Sequence, residues 1–246
     1  MIYNIMPIKI IYDCENFLVI DKSAGICSAP LNENETDNAL FFAIQKYPEI
    51  KKIDSKKKIE YGLIHRIDTA TRGLLLIAKN QSSYNNLIKL QNENKIEKEY
   101  TAFCSKQNPD STFPVFEKKI YQNLIEGKTV SVKSYFRSFS KKGSQVRPVS
   151  LIKENNIESA LKKSGKKVYE TIIQLEKNNS SYMANCRITN GFRHQVRCHL
   201  AWCGFPVQGD ILYERDLTNI SPMKFEATGL SFPDWESSKK FHFSIR

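Results

Sequence analysis

The chain has 246 residues, of which 41% are hydrophobic and 26% charged, and a formal net charge of +11. This composition excludes a disordered polymer, and the length is enough for one domain or two packed lobes around a sizeable core. The basic excess favours a polyanionic partner, nucleic acid before membrane, because no amphipathic anchor accompanies it. The start, Met1 to Tyr12, has no basic leader region or cleavage site and is interrupted by Pro7 and Lys9. It reads as a tail entering a first strand. The longest strongly apolar run, Leu74 to Ala78, is too short to cross a bilayer, so a cytoplasmic protein is expected. Six cysteines lie scattered without C-x-x-C spacing and read as free thiols. Cys198-His199 and Cys203 lack the four ligands of a zinc site, so no metal is expected.

In chain order, Ile8 to Ile20 reads as strand, turn, strand, and Asp21 to Gly25 as a turn. Asn38 to Tyr47 has Leu40, Phe41, Ile44 and Tyr47 at helical spacing and stops before Pro48. Lys51 to Lys58 is a solvated basic connector. Leu74 to Ala78 is a strand, and Gln81 to Glu93 is a helix capped by Ser82 or Ser83. Strands follow at Lys98 to Phe103, Thr129 to Phe136, Val168 to Leu175, Tyr182 to Ile188 and Phe241 to Ile245. A helix over His194 to Cys203 ends at Gly204. The stretch from Lys133 to Lys167 holds ten Lys and Arg residues against Glu154 and Glu158. Its ends read as sheet strands with a basic hairpin or loop between them, and the stretch is either a solvated face or an RNA-facing arm. Many strands with few helices and no regular alternation predict an α+β fold with a largely antiparallel sheet.

Two segments carry chemistry. In Gly62 to Lys79, one carboxylate, Asp68, stands between His65-Arg66 and a Thr71-Arg72-Gly73 turn that enters the apolar strand. That setting suits an acid kept ionised in a cleft as nucleophile or base. Its bland reading is a turn cap paired with Arg66 or Arg72. In Arg187 to Leu200, Gly191 permits a tight turn, and the helix opens with Arg193, His194, Gln195 and Arg197. Cations at a helix start reinforce its attraction for phosphate, and Arg193 and Arg197 share a face. Such a helix start suits an RNA backbone, or a partner to a buried carboxylate.

Asp21-Lys22-Ser23-Ala24-Gly25, the His65-Arg66-Ile67-Asp68 segment through Leu76, Lys98-Glu99-Tyr100, and Gly191 to His199 followed by Gly204, Pro206, Gly209-Asp210 and Tyr213 occur in one order. In these motifs the chain resembles the RluA-type pseudouridine synthases over essentially its whole length. The resemblance implies an α+β catalytic domain with a mostly antiparallel bifurcated sheet flanked by helices and a central RNA cleft. It implies a single domain over residues 1–246, two packed lobes with no separate N-terminal RNA-binding domain. It also implies isomerisation of uridine to pseudouridine in ribosomal or transfer RNA, without a cofactor. By motif match Asp68 is the nucleophile, Arg66 the basic residue beside the flipped base, Tyr100 the aromatic that stacks on uracil, and Arg197 the partner of the catalytic carboxylate. His65, Arg72, Arg193, His194 and Gln195 are possible RNA contacts, His65 reading first as a structural hydrogen-bond former. A monomer is expected. Ser23, Arg72, and Phe192-Arg193 depart from the family's more usual Pro, Ser and Arg-Thr.

The chemistry fits these residue types. A cleft disfavours the charged form of Asp68, and a close guanidinium opposes that by typically about 1–3 pKa units. A target uridine must flip out at a cost of roughly a few kcal/mol, and base–aromatic stacking worth about 1–3 kcal/mol offsets much of it. A protein kinase is excluded, because its Asp directly after Arg, its glycine-rich loop and its D-F-G are absent. A non-catalytic RNA-binding module explains the charge equally well but not an acid paired with Arg197.

Overall fold

Residues 17–20 and 74–78 are buried along their whole length, so the strands they form are covered on both faces. A computed structural model describes residues 8–140, 143–151, 162–215 and 221–245. Within them run ten strands: β1 (Lys9–Asp13), β2 (Phe17–Lys22), β3 (Arg72–Ala78), β4 (Glu97–Cys104), β5 (Val130–Phe139), β6 (Gln145–Val149), β7 (Tyr169–Asn178), β8 (Ser181–Ile188), β9 (Phe225–Pro233) and β10 (Lys240–Ser244). The α-helices are α1 (Ala39–Lys46), α2 (Gln81–Asn92), α3 (Lys118–Ile125) and α4 (Gln195–Trp202). No helix among the described residues is long and apolar enough to cross a membrane.

The chain divides into two compact units, residues 1–98 with 226–246 and residues 99–225. In the first unit the strand order is β1-β2-β3-β9, with β10 on β9. All neighbours are antiparallel except β3 and β9, which pair in parallel through Arg72 with Glu226 and Gly73 with Ala227. Gly73 is required there. Its φ is +141°, and a Cβ would lie 2.2 Å from the Ala227 carbonyl oxygen. Helix α1 begins where the Asn38 side chain accepts from the Phe41 N–H, and α2 packs on β3. Phe17 centres an aromatic cluster, with ring centroids 5.4 Å from Phe232, 5.0 Å from Phe241 and 6.1 Å from Trp235.

In the second unit the order is β4-β8-β7-β5-β6. The pairs of β7 with β8, β5 with β7 and β5 with β6 are antiparallel. Helix α4 packs against β6 and β7, and α3 against β5 and β7. The core beneath α4 gathers Phe136, Val146, Cys198, Ala201 and Tyr213.

The expected α+β class with a mostly antiparallel sheet matches this architecture. Three elements escape the sequence patterns. β6 contains Pro148 and the buried Arg147, which defeat alternation; Pro148 is tolerated because β6 is the last strand in its sheet order. In β9, residues 227–232 are buried without alternation and include Gly229 and Thr228. α3 buries only Leu124. The cap of α2 is Asn80, not Ser82 or Ser83: its side chain accepts from the Ser83 N–H at 2.9 Å. The Lys51 to Lys58 connector is not wholly solvated, since Ile53 and Ser55 are buried. In the basic stretch, Lys141, Lys142, Lys153, Glu154 and Glu158 lie outside the described residues.

Replacing Phe17 by Ala removes the hub of the first unit's ring cluster. It should lower unfolding stability by about 3–5 kcal/mol, measured as a shift in the urea midpoint at unchanged slope. A loss below about 1 kcal/mol would show that the cluster collapses onto the gap.

Candidate active site

Asp68 sits in the loop that enters β3, and the segment after β2 holds that loop on both sides of it. Before Asp68, the buried Ser28 hydroxyl donates to the Ile67 carbonyl at 2.8 Å and accepts from the Ile67 N–H at 3.1 Å. After it, the Thr69 carbonyl accepts from the Gly25 N–H at 2.8 Å and from Lys22 Nζ at 3.3 Å. Asp68 itself is half-buried, and its carbonyl accepts from the Thr71 N–H at 3.0 Å. The carboxylate is thus carried on a backbone fixed at both flanking residues.

Lys22 ends an apolar strand and is fully buried. Its ammonium also donates to the carbonyls of Ile26 at 2.7 Å and Ser23 at 2.9 Å. Burial pushes its pKa down to about 8, against the opposing pull of Cys27, Asp68 and Asp21. Arg72, four residues after Asp68, makes a forked pair with the buried Asp21, with Nη2 at 2.7 Å, and lies 3.6 Å from Glu226. The loop therefore meets β3 at an ion cluster drawn from β2, β3 and β9.

Arg66 is half-exposed and donates to Glu60 at 2.9 Å. His65 lies with both ring nitrogens buried and without a hydrogen-bond partner among the described residues. Burial, then the Lys98 charge, drives its pKa down to about 3, so the ring is neutral at physiological pH. The structural hydrogen bond anticipated for His65 is not present among the described residues.

The second unit supplies the other named residues. Arg197 is buried and forks onto Asp210, Nε to Oδ2 at 2.7 Å and Nη2 to Oδ1 at 2.6 Å. Asp210 also accepts from the Leu212 N–H at 3.0 Å. Tyr100 is buried, and its ring stacks on Phe225 with centroids 5.2 Å apart and planes 9° from parallel. His194 precedes α4 with φ +55°, a left-handed backbone uncommon outside glycine, and its Nδ1 lies 3.2 Å from the Tyr213 hydroxyl. Gln195 is buried: its amide donates to the Glu170 carbonyl at 2.8 Å and to Thr171 Oγ1 at 3.1 Å, and its oxygen accepts from the Phe192 N–H at 3.0 Å. Arg193 donates to the carbonyls of Gly143 and, at 3.2 Å, Gln145, in the β5–β6 turn. His199 bridges Ser134 at 2.9 Å and Thr171 at 2.8 Å, and burial lowers its pKa to about 3. No group of three His, Cys, Asp or Glu residues among the described ones is placed to hold a metal ion.

Arg66, Asp68 and Arg72 thus share the first unit with Lys22, while Tyr100, His194, Gln195 and Arg197 share the second. Pattern reading did not assign roles to Lys22, Ser28, Asp210 or Phe225. None of the four stands out in the sequence, where Lys22 reads as part of a turn.

A family model described as RNA pseudouridylate synthase matches residues 16–202, and the chain belongs to that family. Among curated proteins it is similar to the ribosomal large subunit pseudouridine synthase D of Borreliella burgdorferi, 28% identical over 211 residues, covering 85% of this chain and 56% of that protein. The protein of the same name from Nitrosomonas europaea is 25% identical over 210 residues, 85% of this chain and 51% of that one. The chain thus spans about half the length of these curated relatives. Among solved structures, human RNA pseudouridylate synthase domain containing 1 shares the fold, with a TM-score of 0.65 at 17% identity over 97% of this chain and 83% of that one.

The buried ammonium has a pH signature. Between about pH 8 and 10.5 the unfolded chain binds the Lys22 proton more tightly than the folded one, so this group makes stability rise with pH across that window and adds no further change below it. Across that range the unsubstituted chain should gain unfolding free energy relative to Lys22→Met as pH rises. A constant difference would contradict a depressed Lys22.

Proposed function

We propose that this chain converts uridine to pseudouridine in RNA, with the Asp68 carboxylate as nucleophile. Family membership supports the reaction class, and the double-sided hold on residues 67 and 69 supports Asp68 as the acting group. The reaction breaks the bond from N1 to C1′, turns the uracil and joins C5 to C1′. Attack at C6 or at C1′ both require an ionised acid, so a fixed cation beside it is needed.

We assign that cation to Arg197. A guanidinium carries five donors, and Asp210 engages Nε and Nη2. Asp210 fixes the plane of that guanidinium. The uracil stacks on the Tyr100 face turned away from Phe225. Arg66 leaves Glu60 and enters the space vacated by the extruded nucleotide. An exposed ion pair of that kind is worth about 0–1 kcal/mol, small against the roughly few kcal/mol of base extrusion. No cofactor enters the scheme, and RNA is the partner. Two relatives carry large-subunit names, so ribosomal RNA is the first substrate to assay and transfer RNA the second.

Asp68→Asn should abolish pseudouridine formation, read by nucleoside mass spectrometry after incubation with ribosomal or transfer RNA, and retain RNA affinity. Tyr100→Phe should keep most of the activity, whereas Tyr100→Ala loses stacking worth about 1–3 kcal/mol. Turnover in Asp68→Asn would overturn the assignment, and a non-catalytic binder would show none in either form. Arg197→Met is a poor probe of the charge pair. It strands the buried Asp210, which typically costs about 3–5 kcal/mol of stability.

A further inference from the structure

The sequence disperses the basic residues of the 133–167 stretch, but the fold of the second unit gathers those it describes. β5 and β6 form a hairpin with Arg137 directly opposite Arg147. On the other side of β5, Arg137 bridges to Ser164, and the Gly165 N–H donates to the Phe136 carbonyl at 3.2 Å. The chain segment carrying Lys162, Lys163, Lys166 and Lys167 therefore runs alongside Arg137. Residues 130–151 and 162–169 contain no Asp or Glu. Among the described residues no carboxylate pairs with Arg137, Lys163 or Lys166, while Lys133 is neutralised by Glu170 at 3.3 Å.

The like charges are close. The guanidinium carbons of Arg147 and Arg137 lie 4.3 Å and 5.3 Å from the same Phe139 ring centroid. Arg147 is buried, and the carboxylate paired with it among the described residues, Asp110, is 3.8 Å away, beyond hydrogen-bond reach. Like charges directly opposite on paired strands are destabilising, and an anion outside the strand relieves that. The less buried partner of the pair is Arg137, half-buried, and the 162–167 segment that bridges to it carries the exposed Lys163 and Lys166.

The patch is also tied to the entry of α4. Arg193 closes on the turn carbonyls of Gly143 and Gln145. Phe192 stacks on Phe136, with centroids 5.0 Å apart and planes 6° from parallel. Lys167 Nζ donates to Asn190 Oδ1 at 2.6 Å.

We propose that the β5–β6 hairpin and the adjoining 162–167 segment form a phosphate-binding arm for RNA, with Arg137, Lys163 and Lys166 as its contacts and Phe192 and Arg193 as its tether to the loop before α4. This rests on the reading that RNA is the substrate. The arm supplies affinity and register rather than chemistry, because phosphate contacts carry charge neutralisation and no base information. Arg193 acts here as a positioning residue, its guanidinium spent on the hairpin turn.

The test is the salt dependence of binding to a labelled RNA stem–loop, measured by fluorescence anisotropy from about 50 to 200 mM salt in the Asp68→Asn chain. Adding Arg137→Gln, Lys163→Gln and Lys166→Gln should reduce the slope of log affinity against log salt by about 2 to 3. Lys163→Arg with Lys166→Arg should keep the original slope. In the catalytically intact chain the three Gln changes should raise KM and leave kcat in place. An unchanged slope in the triple variant, or a chain that binds the stem–loop without salt dependence, overturns the arm. If the intact chain makes no pseudouridine in any RNA, the reading of its activity fails, and the slope still decides the arm.

Discussion

The carbonyl of Thr69 and both backbone groups of Ile67 are hydrogen-bonded to the segment that leaves β2, and the rest of the site depends on that hold. A carboxylate on a free loop would lose conformational entropy each time it met a substrate, at about 1–2 kcal/mol per ordered residue. Here the ordering is complete before any ligand arrives. Two chemically different devices do it. Ser28 satisfies a donor and an acceptor of one residue, which a hydroxyl does and an apolar side chain does not. Lys22 brings a buried charge to three carbonyls, with Asp21 and Asp68 close enough to favour its protonated form.

Buried cations recur, and each has its own solution. Arg197 has a forked carboxylate, Asp210, in a geometry that fixes the guanidinium plane. Arg72, by contrast, is half-exposed and shares Asp21 and Glu226 where the loop becomes β3. Arg147 has Asp110 only at 3.8 Å and lies among the rings of Phe113 and Phe139, with bonds to Thr112 Oγ1 and the Val146 carbonyl. A guanidinium suits such an aromatic setting because it is weakly hydrated and stacks on π faces. The result is a basic chain whose charges divide into inward ones that hold loops and outward ones available to a polyanion.

The strands bearing apolar runs, the helices with clear 3.6-residue spacing and the order of the family motifs are all legible in the sequence. Asp68 stands out because a single acid between two arginines before an apolar strand has few structural explanations. β9 and β6 are not legible, since one is buried without alternation and the other carries a proline and an arginine inward. Lys22 looks like a turn residue when it is a buried anchor, because pattern does not reveal where an ammonium points. The Arg197–Asp210 pair spans thirteen residues across a helix end and a turn, a separation that no local periodicity encodes. His65 looks like a hydrogen-bonded structural residue, yet its ring is buried and unpartnered among the described residues.

The central physical claim is that the hold on the Asp68 loop organises the carboxylate for chemistry rather than for binding. Ser28→Ala removes one side of it with a single oxygen and little change of volume. Steady-state pseudouridine formation by that variant is the most direct measurement. kcat should fall by about tenfold, the equivalent of 1.4 kcal/mol, while KM and RNA affinity stay at their original values. An unchanged kcat, or a loss confined to KM, would contradict the account.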